Sequence, residues 1–326
     1  MSTAPAERAN VRIVTDEADA VLAILDTRAS GGTIPEEAWQ RVLSSEGYVR
    51  LKRRELAMKR EFTDEAFRAF VQSPELLTRR AELRDTVESM RRMDVTRPAA
   101  RALAYLPRGA FIRATVYPVI KPRTNSFVFE QEAIFVNVAA QPAERFEETL
   151  AHEMHHIGYR TACPPPGVDT ALSSLTPPKQ ALRTWLSAFG EGLAAFAAAR
   201  GDVGAAYATA EADVREAWLR GTADLSSNMS QVEQFFLDVL DERVTGDHID
   251  KRAYEFFGVV GPWYTVGGRM SAIIEEELGR DTLIAAFCDQ RNLLATYNEA
   301  AAAQERRTGE KLPRWNERLT RAFAER

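Results

Sequence analysis

Hydrophobic residues recur at helical spacing through the first third of the chain. Trp39, Val42 and Leu43 are three and four positions apart, and similar apolar groups precede and follow them. Residues at this spacing lie on one face of an α-helix. The pattern predicts helices from about residue 16 to residue 97, preceded by a loose end over residues 1–10.

The periodicity changes in the middle of the chain, where β-branched and aromatic residues dominate. Residues 111–117, 126–129 and 133–138 have the composition of β-strands. The connections between these segments are too short to contain crossover helices. The sequence therefore predicts a small antiparallel sheet.

Helical periodicity returns after Pro142 and continues nearly to the C-terminus. The first helix of this half is predicted to end at Gly158, because glycine is common at helix C-termini. A proline-rich loop then contains Pro164–Pro166, Pro177 and Pro178. The later predicted helices cover about residues 179–200, 204–220, 227–244, 264–278 and the chain from 282 onward.

The composition is that of an ordinary globular protein and argues against several classes of function. The 326 residues include 42 basic and 47 acidic side chains, and the net charge of −5 disfavours nucleic acid as a partner. Residues 49–60 are rich in Arg and Lys, which we interpret as a solvated helix face. Cys163 and Cys288 are too few for a disulfide framework or a four-cysteine zinc site.

The sequence contains neither a secretory signal nor a membrane-spanning segment that we can identify. Its first residues lack a basic stretch followed by an apolar one. No apolar stretch approaches the ~20 residues needed to cross a bilayer, and one candidate, residues 193–199, is mostly alanine and stops at Arg200. We therefore expect a cytoplasmic protein with no membrane partner.

Three of the four histidines lie within one segment, His152-Glu153-Met154-His155-His156. This is the pattern H-E-x-x-H. On a helix, His152 and His156 share one face and can bind the same metal ion. Glu153, beside that face, can hold a water molecule at the metal.

The same segment carries the apolar stripe that such a helix needs. Phe146, Leu150, Met154 and Ile157 are spaced four, four and three residues apart. At 100° per residue, this stripe lies well away from the two histidine ligands. The helix can therefore bury one side and present its imidazoles on another.

A catalytic zinc ion usually has three protein ligands and one position for water. Glu191 is the best candidate for the third ligand, because it is the only charged residue between Thr184 and Ala199. A carboxylate among apolar residues needs a partner, although a surface or salt-bridged glutamate remains the alternative. Weaker candidates are His248, in a predicted polar turn, and Glu148, Glu211 and Glu216.

H-E-x-x-H followed by a helical glutamate in Glu191-Gly192-Leu193-Ala194 resembles the gluzincin group of zinc metallopeptidases. Residues from about 20 to 300 are similar to a poorly characterised branch of zinc-dependent peptidases, first catalogued as a domain of unknown function. The other matching segments are Ser45-Glu46-Gly47-Tyr48, Tyr105-Leu106-Pro107, Ile120-Lys121-Pro122, Asn125-Ser126-Phe127 and Gly261-Pro262-Trp263-Tyr264.

The resemblance implies one Zn²⁺ ion per chain, bound by His152, His156 and Glu191. Glu153 would act as general base toward a metal-activated water and then pass the proton to the leaving amine. Iron or nickel is an alternative to zinc, since sites of imidazole and carboxylate accept several metals.

The resemblance also suggests how a substrate would be held. The strand around residues 134–138 is similar in position to the edge strand that pairs with an extended substrate in such peptidases. Tyr264 would donate a hydrogen bond to the oxyanion, with a purely packing role as the alternative. His155 is the second candidate donor, although its direction on the helix favours a packing or supporting role.

The sequence thus predicts a zinc-dependent peptidase whose partner is a peptide or protein substrate. The alternative is a catalytically inactive protein of the same fold that binds a metal or a partner. Glu153 favours catalysis, because a structural site needs no carboxylate beside its ligands. A helical nucleic-acid-binding protein, built around residues 49–60, is a third hypothesis that the acidic balance disfavours.

The predicted fold is α+β and mostly α, a zincin-like metallopeptidase domain. It should contain a small antiparallel sheet packed on the H-E-x-x-H helix and a helical C-terminal half. Residues 1–105 are predicted to form an N-terminal helical region, either a lid or an integral part, and residues 106–326 the catalytic domain.

Overall fold

A computed structural model describes residues 5–122, 126–130, 132–141, 143–163 and 175–324. Helices dominate, and the strands form one four-stranded sheet, which confirms the prediction of an α+β protein that is mostly α. Contacts group the described residues into two units. The sheet unit consists of residues 5–99 and 112–157, and the helical unit of residues 100–111 and 158–324. The predicted domain boundary after residue 105 stays a prediction.

The sheet unit begins with a strand that the hydrophobic pattern did not reveal. A short 3₁₀ helix at Pro5–Arg8 precedes β1 (Ala9–Ile13). The 3₁₀ helix and the first two residues of β1 fall in the segment that was predicted to be a loose end. Only Val11 and Ile13 in β1 are strongly apolar, and they alternate with polar residues. Residues 1–4, also part of that predicted loose end, lie outside the described residues.

The helices predicted between residues 16 and 97 are confirmed. In chain order they are α1 (Asp16–Ala29), α2 (Glu36–Ser44), α3 (Glu46–Ala57), α4 (Asp64–Val71), α5 (Pro74–Thr78), α6 (Arg80–Arg91) and α7 (Thr96–Leu103). The side chains of Ser45, Thr63 and Ser73 each accept a hydrogen bond from the backbone N–H three residues on. These N-caps satisfy donors that the first helical turn leaves unpaired.

The three predicted strands are present as β2 (Ile112–Val119), β3 (Phe127–Phe129) and β4 (Ala133–Asn137). Their predicted antiparallel arrangement is wrong for the pairing of β2 with β4 and confirmed for the pairing of β3 with β4. The strand order is β1-β2-β4-β3, in which β1 pairs parallel with β2, β2 parallel with β4, and only β3 antiparallel with β4. Helices α1–α7 connect the parallel strands β1 and β2. β4 lies between β2 and β3 and runs in the same direction as β2.

β4 therefore lies inside the sheet, and its predicted role as an edge strand is wrong. Phe135 in β4 is in register with Tyr117 on one side and with Phe127 on the other. β2 pairs with β4 along the whole length of β4, and β3 pairs with its first three residues, Ala133–Phe135, so β4 has strand neighbours on both sides there. The edges of this sheet are β1 and β3.

The metal-motif helix, α8 (Phe146–Ala162), continues one turn beyond Gly158, where it was predicted to end. The remaining helices are α9 (Pro177–Leu186), α10 (Gly190–Ala198), α11 (Ala212–Ala223), α12 (Leu225–Leu240), α13 (Asp247–Glu255), α14 (Pro262–Leu278), α15 (Arg280–Cys288), α16 (Leu293–Thr308) and α17 (Glu317–Ala324). The 3₁₀ helix Ser187–Phe189 joins α9 to α10.

Three local predictions for this half are wrong. Pro177 and Pro178 begin α9 instead of belonging to a loop, because proline is tolerated in the first turn of a helix. The helix predicted from residue 204 begins only at Ala212, after a series of turns. His248 lies in the first turn of α13, not in a polar turn. Other predicted features lie outside the described residues, namely Asn125, Pro142 and Pro164–Pro166.

α14 is the central helix of the helical unit. It packs against α10, α11, α12, α15 and α16. Trp263, Val266, Met270 and Ile274 of α14 are fully buried in the core of this unit. Within the described ranges, every helix is too short or too polar to cross a bilayer.

Candidate metal centre

The H-E-x-x-H motif lies in the middle of α8, whose apolar stripe is buried as predicted. Phe146, Leu150, Met154 and Ile157 are each at most 2% exposed. Burial of this stripe fixes the rotation of the helix about its axis, so residues between the stripe positions face other directions. The sequence thus determines locally where the histidines of α8 point.

His152 and His156 direct their imidazoles toward a common point. Their Nε2 atoms are 3.1 Å apart, and their ring planes are nearly perpendicular, at 83°. Two nitrogens that bind one zinc ion at about 2.0–2.1 Å, with tetrahedral geometry, lie about 3.3 Å apart. The observed separation therefore fits two ligands of a single metal ion.

The two other polar residues of the motif are buried. Glu153 is 8% exposed and His155 only 1% exposed. The ring centroid of His155 is 6.5 Å from that of His156, so the third imidazole stands apart from the ligand pair. Its burial is typical of a packing or supporting group, which argues against His155 as a residue that a substrate touches.

Glu191 lies in the first turn of α10 and is half-buried. The seven residues that follow it, Gly192–Ala198, are all buried, so the predicted apolar surroundings are confirmed. A carboxylate in the first turn is favoured electrostatically by the partial positive charge of the helix N-terminus. The half-buried carboxylate is only partly hydrated, so a cation is a favourable partner for it.

α10 and α14 cross at glycines. A Cβ atom on Gly192 would lie 2.2 Å from the backbone nitrogen of Gly268, and one on Gly267 would lie 2.4 Å from the carbonyl oxygen of Phe189. Only residues without a side chain allow two backbones to approach this closely. Gly190 has no such role, since a Cβ atom there would meet nothing within 4 Å. The crossing fixes the start of α10, and with it Glu191, against α14.

His152, His156 and Glu191 together could hold a metal ion. One ligand atom from each of these side chains lies within 4.8 Å of the others. Two imidazoles and one carboxylate are a common donor set for catalytic zinc. In the described part of the chain, no such group includes the weaker candidates Glu148, Glu211, Glu216 and His248.

Tyr264 lies in the first turn of α14 and is half-buried, with its ring centroid 6.2 Å from that of Phe257. Two other tyrosines use their hydroxyl groups in structural hydrogen bonds. Tyr117 donates to Oε1 of Glu46 at 2.6 Å, and Tyr159 donates to the carbonyl oxygen of Phe287 at 2.5 Å. Burial raises the pKa of both tyrosines to about 12, so both hydroxyls stay protonated at neutral pH.

A covalent link next to the metal-motif helix was missed by the sequence analysis. Cys163, which directly follows α8, forms a disulfide with Cys288, the last residue of α15. The hydrogen bond from Tyr159 to Phe287 joins the same two helices. The available signal was a pair of cysteines, too few for a framework but sufficient for one bond.

Comparison with protein families gives a match that covers most of the chain. A family model described as "Putative zinc dependent peptidase (DUF5700)" matches residues 36–306, well over half of the chain. The matched interval includes the H-E-x-x-H motif, Glu191 and Tyr264. No curated protein and no solved structure matches the chain.

Proposed function

Because the chain belongs to the family described as "Putative zinc dependent peptidase", we propose that it is a hydrolase that cleaves peptide bonds. In this proposal the site is of the gluzincin type, with H-E-x-x-H on one helix and the third ligand, a glutamate, on a later one. The observation that carries the proposal is the group of donor atoms formed by His152, His156 and Glu191. The 3.1 Å separation of the two Nε2 atoms supports a shared metal ligation.

In this proposal His152, His156 and Glu191 bind one Zn²⁺ ion per chain. Three protein ligands leave one coordination position for water or substrate, as catalytic zinc requires. When bound, zinc would lower the pKa of a water molecule and polarise a peptide carbonyl group. The half-buried ligands and their apolar surroundings exclude part of the bulk water, which strengthens electrostatic interactions at the site.

Glu153 is the proposed general base. It follows His152 directly in α8, and in this proposal its carboxylate reaches the water bound beside the ligand pair. It removes a proton from the attacking water and delivers that proton to the nitrogen of the leaving amine. A site that only bound metal would gain nothing from this buried carboxylate.

Tyr264 is the proposed donor to the oxyanion that forms as the carbonyl is attacked. Half-burial leaves part of its side chain accessible to a substrate, unlike that of His155. We expect Tyr264→Phe to lower kcat ~10²-fold with little change in KM, since this hydrogen bond strengthens only in the transition state. Tyr207→Phe is the matched control, because Tyr207 is also half-buried in the helical unit.

The proposal is tested by metal analysis and a peptide-library digest of the purified protein and of Glu153→Gln. We expect about one zinc ion per chain in both, and a drop of ~10²-fold or more in cleavage for the variant. Glu216→Gln serves as a control, because Glu216 is exposed and pairs with the exposed side chain of Arg220.

Three results would overturn the proposal. If the purified protein contains no metal, the proposed zinc site is wrong. If Glu153→Gln cleaves peptides as fast as the unaltered protein, Glu153 is not the general base. Stoichiometric metal without any cleavage would favour the alternative of an inactive metal- or partner-binding protein.

A further inference from the structure

An exposed apolar surface lies next to Tyr264 in the helical unit. Tyr254, at the end of α13, is 59% exposed, and Val259, in the following loop, is 61% exposed. Phe257 lies between them in the sequence and is half-buried. We call these three residues the apolar ridge. Large apolar side chains with this exposure commonly mark a binding surface when they are contiguous.

The ridge continues into the proposed active site through ring contacts. The ring centroids of Tyr254 and Phe257 are 5.9 Å apart, and those of Phe257 and Tyr264 are 6.2 Å apart. Gly192 packs against the backbone of Tyr264, and the proposed ligand Glu191 directly precedes Gly192. One end of the ridge therefore lies beside the proposed oxyanion donor, on the helix that contacts the start of α10.

Aromatic contacts and hydrogen bonds hold the apolar ridge in place. Trp185 meets the ring of Tyr254 edge-on at 5.2 Å and stacks on buried Trp263 at 6.4 Å. Its indole N–H donates to Oδ1 of Asp250 at 3.0 Å. The loop carrying Val259 is closed by a hydrogen bond from the Gly261 N–H to the carbonyl oxygen of Phe257 at 2.7 Å. A surface organised in this way loses little conformational entropy when it binds a ligand.

We propose that the apolar ridge is a specificity subsite, which binds a large apolar side chain of the peptide substrate near the cleaved bond. This inference rests on the proposed peptidase function. A peptide held at the metal centre would place its flanking side chains next to Tyr264. An aromatic or leucine-like side chain would then remove apolar surface of the ridge from water, whereas alanine or aspartate would not.

The test measures kcat/KM of the zinc-loaded full-length protein on peptides that differ at one position. Phe, Leu, Ala or Asp is placed in turn at each position flanking the cleaved bond. The variants are Tyr254→Ala and Val259→Ser. Leu219→Ala is the control, because Leu219 is 48% exposed on α11 and is not part of the ridge.

At one position we expect the unaltered protein to prefer Phe or Leu over Ala by ~10-fold or more. Each ridge variant should lower that preference several-fold while zinc content and cleavage of the Ala peptide stay unchanged. Leu219→Ala should retain the full preference. The selective loss of one peptide class is a result that general destabilisation would not produce.

The subsite is overturned if the unaltered protein cleaves all peptides equally well. It is also overturned if the ridge variants lose the same fraction of kcat/KM on every peptide. Both outcomes leave the proposed peptidase function intact. Concentration-dependent dimerisation that the ridge variants abolish, with selectivity unchanged, would assign the ridge to a second copy of the chain. Absence of cleavage by zinc-loaded protein would instead overturn the proposed function, and the subsite with it.

Discussion

Gly192 lies so close to Tyr264 that a Cβ atom at position 192 would be 2.5 Å from the carbonyl oxygen of Tyr264. This distance is shorter than any van der Waals contact, and the opposing atom belongs to a backbone that cannot rotate away. Glycine at position 192 is therefore required for α10 and α14 to pack as they do. The proposed ligand Glu191 depends on the same crossing.

We expect Gly192→Ala to separate α10 from α14 and to destabilise the protein by about 3 kcal/mol. Gly190→Ala is the matched control, because a Cβ atom there meets nothing within 4 Å and alanine favours a helix. Urea unfolding midpoints of both variants measure the effect. Equal midpoints for the two variants would contradict the tight crossing.

The proposed third ligand makes a prediction about metal affinity. Glu191→Gln removes the negative charge at the site while it keeps the size of the side chain. We expect its zinc affinity to fall by ~10²-fold or more, and its melting temperature to lose most of its response to added zinc. Competition with a chelator of known affinity measures the change, with Glu216→Gln as the control. Unaltered affinity in Glu191→Gln would mean that another group completes the site.

Glu17 gives the stability of the protein a predictable dependence on pH. It is completely buried in α1, and its Oε2 accepts a hydrogen bond from the Ile120 N–H at 2.9 Å. Among the residues that the structure describes, its Oε1 has no hydrogen-bond partner. Burial raises the pKa of Glu17 to about 8, from 4.5. Between these pH values the unfolded chain releases this proton and the folded protein retains it. Rising pH therefore favours unfolding over this interval.

Glu17→Gln removes that dependence, because glutamine does not titrate. We expect the variant to gain stability relative to the unaltered protein by roughly 1.4 kcal/mol for each pH unit between pH 4.5 and about 8. Thermal unfolding across this pH range measures the difference, with exposed Glu37→Gln as the control. A constant difference between the two proteins at all pH values would show that Glu17 is not protonated in the fold.

The local features of the site could be predicted from the sequence because they depend on neighbours along one helix. The spacing of His152 and His156 and the apolar stripe of α8 follow from helical periodicity alone. Glu191 could be identified by chemistry, as a single charge within an apolar helix. Its position beside the histidines depends on tertiary packing, which the resemblance to a family implied and no local pattern could supply.

The arrangement of the sheet could not be predicted, because it depends on pairings that are distant in sequence. Ala9 in β1 is in register with Ile112 in β2. β4 is inserted between β2 and β3, although its closest neighbour along the chain is β3. Short connections exclude a crossover helix between adjacent strands, but they do not determine strand order. The Cys163–Cys288 link was missed for the same reason, since 125 positions separate the two residues.

The disulfide makes a prediction about stability and about the compartment in which the protein works. Crosslinking residues 125 positions apart restricts the unfolded chain strongly, and removing such a bond typically costs about 2–5 kcal/mol. We expect Cys163→Ser/Cys288→Ser to unfold at a lower urea concentration than the unaltered protein. A dithiol reductant should lower the midpoint of the unaltered protein to the same value and leave the variant unchanged.

The mass of the intact protein, with and without reduction, gives the oxidation state of Cys163 and Cys288 independently of stability. Disulfides persist mainly in oxidising compartments, whereas the sequence predicts a cytoplasmic protein. Free thiols in protein taken from its native cells, together with equal midpoints for the serine variant and the unaltered protein, would contradict a structural disulfide. An oxidised pair in those cells would instead count against the cytoplasmic prediction.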